Sequence, residues 1–389
     1  MTKEPDPQAP KTATAAEPKP PEPYLGVKLY RSSTWETPVH EPNDWTARVA
    51  EILLSENLVV LTGLGTSLCL NAVGQPNVAP KMSDLWTAVE AIVGFEAVRT
   101  SVSFDTSSTD VEALLSHCQL FLALNPSSIE IVDFVKLAEA KIQELCNFVQ
   151  PATNLDHHQL FLRKVARRSI RQPRMKLFTT NYDRCFEEAA ARASFICIDG
   201  FSHSMPQQFD GAHFGYDLVR RDVEGSAPEF IPNVFHYFKL HGSVDWSFDK
   251  ENRVHKQGGG RMAMIFPRYG KFESSYQQPF FEMMARLQMA LRQPNTGLLI
   301  LGYGCNDQHL NEPLLTALRS NVGLRCALID PILEANNSTG VRGEFKRLID
   351  AGDTRLMLLS TSFEVFVGYI PDLVASTEEE RHFERTRRT

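Results

Sequence analysis

The sequence predicts an α/β fold, a mainly parallel sheet with helices on both faces and a helical insertion. Two observations lead there. Short apolar, β-branched runs recur along the chain and alternate with stretches whose apolar residues have helical spacing. Most of these runs end in a glycine or a short polar segment, the places where strands give way to helices. Such alternation implies parallel strands covered on both faces.

The elements follow in order. Residues 1–23 hold seven prolines among Lys, Glu, Ala and Thr, with almost no large apolar side chains to offset the entropy of ordering. A disordered tail is expected there, and one domain over 24–376. Trp45, Val49, Ile52 and Leu53 share a helical face, and the apolar run Asn57–Thr62 predicts a buried strand ending at a glycine turn. From Lys81 to Gln150 the spacing is helical. Leu85, Val89 and Ile92 form one set, Val111, Leu114, Leu115 and Cys118 a second, and Ile129–Phe148 a long amphipathic helix. This block, 81–150, is the insertion, and Thr100–Asp110 within it reads as a mobile loop.

The alternation then resumes. Met175–Thr179 predicts a strand leading into Thr180–Asp183 and a helix over Cys185–Ala193. Phe235–Leu240 predicts a strand running into His241–Ser243. Leu298–Leu301 predicts a strand running into Gly302–Gly304, then a helix through Leu314–Leu318. Arg325–Asp330 is a strand stopped by Pro331, followed by a helix at Gly343–Ile349 and a last strand at Thr354–Leu359. Residues 377–389 form a charged C-terminal tail. The arrangement is Rossmann-like, and in such sheets ligands bind at the carboxyl ends of the strands, where the polar segments just named are expected to converge.

Composition narrows the function classes. The 389 residues carry 40 Lys+Arg against 47 Asp+Glu, a net charge of −7, which argues against nucleic acid as a direct partner. The basic run Arg163–Arg171 reads as a solvated or partner-facing helix surface. No stretch has the ~18 uninterrupted apolar residues of a membrane span, and the polar N-terminus lacks an export signal's pattern, so a cytoplasmic location is expected. Seven scattered cysteines, none in a Cys-x2-Cys pair, indicate neither a disulfide framework nor a zinc ribbon.

Five segments carry chemistry. Thr62–Ser67 follows the first buried strand, and its two glycines, free N–H groups and two hydroxyls suit a pyrophosphate, although a tight turn explains it equally. Asn181 and Asp183 stand where a helix begins, as ligand-binding residues or as caps. His241, at a strand end, is placed to accept or position a proton, or to serve the structure alone. Gly302–Asp307 and Leu328–Pro331 complete the set.

Taken in order, Gly-x-Gly-Thr-Ser, Thr-Asn-Tyr-Asp, Lys-Leu-His-Gly-Ser, Gly-Tyr-Gly-x-x-Asp and Leu-Ile-Asp-Pro resemble the sirtuin superfamily, and more closely its branch in bacterial anti-phage defence. The resemblance spans Leu61 to Asp330. It implies that Gly63, Gly65, Thr66 and Ser67 bind the phosphates of NAD, with Asn181 and Asp183 beside the nicotinamide ribose. It implies His241 as the catalytic histidine, and Gly302, Asp307 and Asp330 near the adenosine half. Deacylases of the superfamily carry a four-cysteine zinc module after the histidine. Here no cysteine lies between His241 and Leu298, so no zinc module and no metal are expected. The resemblance therefore implies hydrolysis of NAD, as substrate, to nicotinamide and ADP-ribose, depleting cellular NAD in abortive infection. It implies a homo-oligomer assembled with a HerA-type ATPase. A catalytically silent subunit sensing NAD or ADP-ribose, an NAD cyclase and an ADP-ribosyltransferase stay open as alternatives.

Overall fold

The computed structural model describes residues 22–41, 44–71, 78–169, 171–221, 229–256, 260–264, 278–335 and 339–373. Two short strands, β1 (Lys28–Arg31) and β2 (Thr34–Glu36), precede helix α1 (Trp45–Leu53), whose first turn is capped by Asp44 accepting from Thr46 N at 2.8 Å. Strand β3 (Asn57–Thr62) follows. The chain then builds α2 (Met82–Glu90), α3 (Phe95–Ser101), α4 (Val111–Leu124), α5 (Ile129–Cys146) and the short α6 (Asp156–Phe161). It returns to the sheet through β4 (Lys176–Thr179), α7 (Cys185–Arg192) and β5 (Ile196–Ile198). A two-residue pair, β6 (Val219–Arg220) and β7 (Glu229–Phe230), precedes β8 (Val234–Lys239). Next come β9 (Gly242–Phe248), β10 (Val254–Lys256), β11 (Arg261–Met264) and α8 (Phe280–Arg292). The last elements are β12 (Thr296–Leu301), α9 (Gln308–Ser320), β13 (Arg325–Ile329), α10 (Gly340–Asp350), β14 (Leu356–Ser360) and α11 (Phe363–Tyr369).

Nine strands form the central sheet in the order β2-β1-β14-β13-β12-β3-β4-β8-β5. The run from β14 to β5 is parallel, and β1 and β2 add an antiparallel edge. From β3 the chain moves outward one way, through β4 toward β8. From β12 it moves outward the other way, through β13 and β14. Strands β3 and β12, paired from Asn57↔Thr296 to Thr62↔Leu301, therefore flank the topological switch point, where such sheets bind ligands.

Successive residues on a strand point to opposite faces, and the two faces bury separate cores. Val59, Leu61, Leu298 and Ile300 pack with Met283 and Leu287 of α8 and Leu314 and Leu318 of α9. Leu58, Val60, Leu299 and Leu301 pack with Val49 of α1, Phe161 of α6, Phe186 of α7 and Phe366 of α11. Helices α2 to α5 have a third core around Val89, Leu114, Phe134 and Ile142. That core reaches the main body through Val244 and Met264 of the β9–β11 sheet, and Gln143 Nε2 donates to Val244 O at 2.7 Å.

The expected helices and strands are present, and several features differ from the sequence reading. Gly242 and Ser243 do not continue a polar turn but begin β9, with Gly242 at φ +83° making the corner. Within Thr100–Asp110, Phe104 is buried against the helical block and Arg99 donates to Asp105 O at 3.1 Å, so packing anchors the segment read as a mobile loop. Only the first part of the basic run is helical, Arg163 and Lys164 lying half-exposed in the turn Leu162–Ala166 that continues α6. Arg167 and Arg168 are buried, and Arg168 donates to the carbonyls of Leu53, the last residue of α1, and of Ser55 and Glu56 just after it, while Lys164 Nζ donates to Ile370 O at 2.7 Å. Helix ends leave carbonyls unsatisfied, and these cations satisfy them. Glu22 and Pro23, assigned to the tail, belong to the fold: His40 N donates to Glu22 O at 2.9 Å, and Pro23 bridges Val39. The rest of the 1–23 tail and the 377–389 tail lie outside the described residues. Among the described residues no helix is long and apolar enough to cross a membrane.

Candidate functional site

The turn after β3 and the turn after β12 interlock through their glycines. A Cβ on Gly65 would meet Gly302 Cα at 2.5 Å, and one on Gly63 would meet Gly302 O at 2.8 Å, distances no side chain tolerates. Gly302 is itself left-handed at φ +57°. Gly65 N donates to Gly302 O at 2.9 Å, and Gly63 N to Leu301 O at 3.0 Å. The glycines thus let two backbones touch at the switch point.

The turn after β4 closes on the same loop. Asn181 Nδ2 donates to Ser67 Oγ at 2.9 Å and to Gly63 O at 3.1 Å. A carbonyl only accepts, so this contact fixes which end of the amide is nitrogen and leaves Oδ1 as the acceptor for a ligand. Ser67 Oγ donates to Asp183 Oδ2 at 2.6 Å, and Asp183 Oδ1 accepts from Cys185 N at 2.9 Å, capping α7. Thr66 Oγ1 donates to Gly63 O at 2.9 Å. The hydroxyls of Thr66 and Ser67, and the N–H groups of Gly63, Gly65, Thr66 and Ser67, are all engaged within the protein. This differs from the open cradle read from the sequence, because the same short side chains that suit a phosphate also suit a buried turn.

Beneath this turn lies Lys239, at the end of β8 and 1% exposed. Its Nζ donates to the carbonyls of Tyr182 and Asp183 and pairs with Glu187 Oε1 at 2.9 Å. Burial raises the Glu187 carboxyl above its ordinary range, with Lys239 opposing that rise. The lysine holds the Asn181–Asp183 backbone from below.

A cavity of about 140 Å³ opens above these turns. Asn181, Asp183, His241 and Asp307 line it, and the helical insertion covers it with Leu85, Glu112 and Cys146. Burial pushes the Cys146 thiol up to about 12, which leaves no thiolate for nucleophilic work at neutral pH. Larger clefts lie elsewhere. One of about 320 Å³, with Arg48, Asn295 and Arg355, sits at the amino ends of β12 to β14. Another of about 800 Å³, with Tyr30, Arg319 and Arg347, sits at the β1 edge. Neither is at the strand carboxyl ends. A third, of about 320 Å³ with Asp199 and Lys256, borders the end of β5 at the sheet edge. The smaller cavity, in contrast, includes Leu64 of the turn after β3 and so lies at the switch point.

His241 is 3% exposed, and its Nε2 lies 3.2 Å from Nε2 of His309, which is 6% exposed in the first turn of α9. Asp307 is the N-cap residue of that helix. Buried Tyr303 braces the loop before it, its hydroxyl 3.2 Å from Asn311 Oδ1, while Asn311 Nδ2 donates to Cys305 O at 2.8 Å. Asp330 is buried after β13, where it accepts from Ile332 N at 3.0 Å and burial raises its carboxyl; it does not line the cavity.

Of the residues named from the sequence, Asn181, Asp183, His241 and Asp307 face the cavity, and Gly63, Gly65, Thr66, Ser67 and Gly302 form the interlocked turns beneath it. Asp330 stands apart. Sequence reasoning missed His309 and Glu112 and gave no role to Lys239. His309 lies two residues beyond a motif already singled out, which was the available signal. Glu112 had none, since it sits at the start of an amphipathic helix where acidic residues are common.

No curated protein matches the chain. Three solved structures, each described as a mutant of a Sir2 homologue in complex with ADP-ribose, are similar at 14%, 16% and 16% identity. Each has a TM-score of 0.38 and covers 86% of this chain and 100% of its own. Residues 175–328, which run from the start of β4 into β13 and include Asn181, Asp183, His241 and Asp307, match the family model described as a SIR2-like domain, in support of the resemblance carried by the motifs.

Proposed function

We propose that this chain is an NAD hydrolase that releases nicotinamide and leaves ADP-ribose. The observation that carries the reading is the convergence of Asn181 and His241 on one cavity at the carboxyl ends of β4 and β8, beside the switch point. Cleaving the bond between nicotinamide and ribose passes through an oxocarbenium-like centre, which needs an oriented ribose and one admitted water. Asn181 Oδ1 accepts from a ribose hydroxyl or from that water. His241 takes the proton as general base. Asp183 holds the Ser67 side of the turn and, through it, Asn181.

NAD lies across the interlocked turns in this reading, with Gly63, Gly65, Thr66, Ser67 and Gly302 as the wall beneath its phosphates, and Asp307 and Asp330 toward the adenosine half. At about 140 Å³ the cavity is well below the roughly 300–1,000 Å³ of typical ligand pockets. It therefore takes the nicotinamide riboside end, while the rest of the dinucleotide lies outside it across the turns. The proposal places the chain in the cytoplasm as a homo-oligomer working with a HerA-type ATPase in anti-phage defence, where exhausting NAD halts the infected cell. The test is chromatography of products from purified chain with NAD, alone and with the ATPase, beside Asn181→Ala and His241→Ala. Nicotinamide and ADP-ribose from wild type alone support it. Tight NAD binding without turnover in either condition replaces it with a sensing subunit, and a cyclic product with a cyclase.

A further inference from the structure

The proposed chemistry uses His241 but gives His309 no part, although the two buried imidazoles face each other. One ligand atom from each of His241, Asp307 and His309, two ring nitrogens and a carboxylate oxygen, all lie within 4.8 Å of one another. Bonds of about 2.0–2.1 Å in a tetrahedral zinc site put neighbouring ligand atoms about 3.3 Å apart. The two Nε2 atoms are 3.2 Å apart.

We propose that His241, Asp307 and His309 bind one divalent transition-metal ion of the zinc type, its fourth position open to the cavity. Two imidazoles and one carboxylate suit zinc and its neighbours, whereas magnesium and calcium favour all-oxygen sets. Three protein ligands with one open position is the arrangement of reactive zinc sites, not of closed structural ones. The ligands stand on firm supports. His241 lies in the tight corner between β8 and β9, and Asp307 and His309 flank the start of α9, behind a loop braced by Tyr303 and Asn311. A bound ion takes a lone pair of the imidazole that hydrolysis needs, so occupancy and turnover compete. That consequence rests on the hydrolase reading; the binding does not.

The full chain, stripped by chelation and free of nucleotide, is titrated with Co²⁺ by absorption and with Zn²⁺ by calorimetry. One equivalent is expected, with visible cobalt bands and no near-ultraviolet thiolate band. His309→Ala, His309→Gln and Asp307→Asn, each checked for native circular dichroism, should lose at least the roughly 10–100-fold in affinity that loss of a mere supporting residue costs. Cys305→Ser should bind like wild type. No saturable binding, which leaves a hydrogen-bonded histidine pair, overturns the proposal. So does a thiolate band, or affinity unchanged in the three ligand variants. If Zn²⁺ binds as described while no preparation cleaves NAD, the hydrolase reading fails and the metal site stands.

Discussion

Lys239 shows how a single buried charge supports the site. It neutralises Glu187 and holds two carbonyls of the turn that carries Asn181. Lys239→Met strands the Glu187 carboxylate in the interior, and breaking such a pair costs about 3–5 kcal/mol. Adding Glu187→Gln removes the stranded charge and should recover part of that loss, as measured by urea unfolding of both variants. Replacing His241 or Asn181 by Ala acts on chemistry instead. Nicotinamide release should fall by roughly 10²–10⁴-fold for loss of the base, while Asn181→Ala also frees Gly63 O and Ser67 Oγ and should cost about 1–3 kcal/mol of stability, far less than unfolds the chain. Asn181, Asp183 and His241 were legible through the order of the five segments taken together, because singly each also fits a structural role, and Asp183 does cap α7. Lys239 was visible in its motif but had no readable role, since its partner Glu187 reaches it only across the packing of α7 on β8.

At the scale of elements, the contact of the β3 and β12 turns depends on glycine. Gly65→Ala drives a methyl into Gly302 Cα, backbone against backbone, so the strand pair must part locally. A loss of about 1–3 kcal/mol is expected. NAD affinity should fall with it, read by thermal unfolding and by calorimetry. The sequence marked both turns as glycine-bearing but not that they meet, because strand order is not written in either segment. The same limit hid the β1–β2 edge and the β9–β11 sheet, whose short strands lack a strong period. Helices of the insertion were legible because long amphipathic segments keep their spacing. Their docking through Gln143 and Val244, and hence Glu112 at the cavity, was not.

Across the whole molecule, two histidines oppose acid. His158 is wholly buried between Phe186 and Phe363 and His236 lies within β8, and burial lowers each to about 4 from an ordinary 6.5. Asp183 pulls the first upward and His157 downward. Lys176, Arg286 and Arg174 push the second down, and Asp217 raises it. Between pH 6.5 and 4 the unfolded chain binds protons that the folded chain refuses, so stability falls as pH drops through that window. Each histidine contributes at most about 3 kcal/mol to that loss across the whole window. Denaturant melts from pH 7 to 4.5 should show the loss, and His158→Gln with His236→Gln should flatten it. The α/β class was legible at this scale from alternation alone. The order of the strands was not, and it has a consequence for synthesis. The central strand β3 pairs with β12, whose first residue, Thr296, lies more than two hundred positions further on, and His309 follows later still. A ribosome adding roughly 5–20 residues per second therefore leaves roughly 10–50 seconds between the two strands whose turns form the floor of the cavity. Until the later segment arrives, the turn after β3 lacks the Gly302 backbone it packs against, so the floor of the cavity cannot form on the first half of the chain alone.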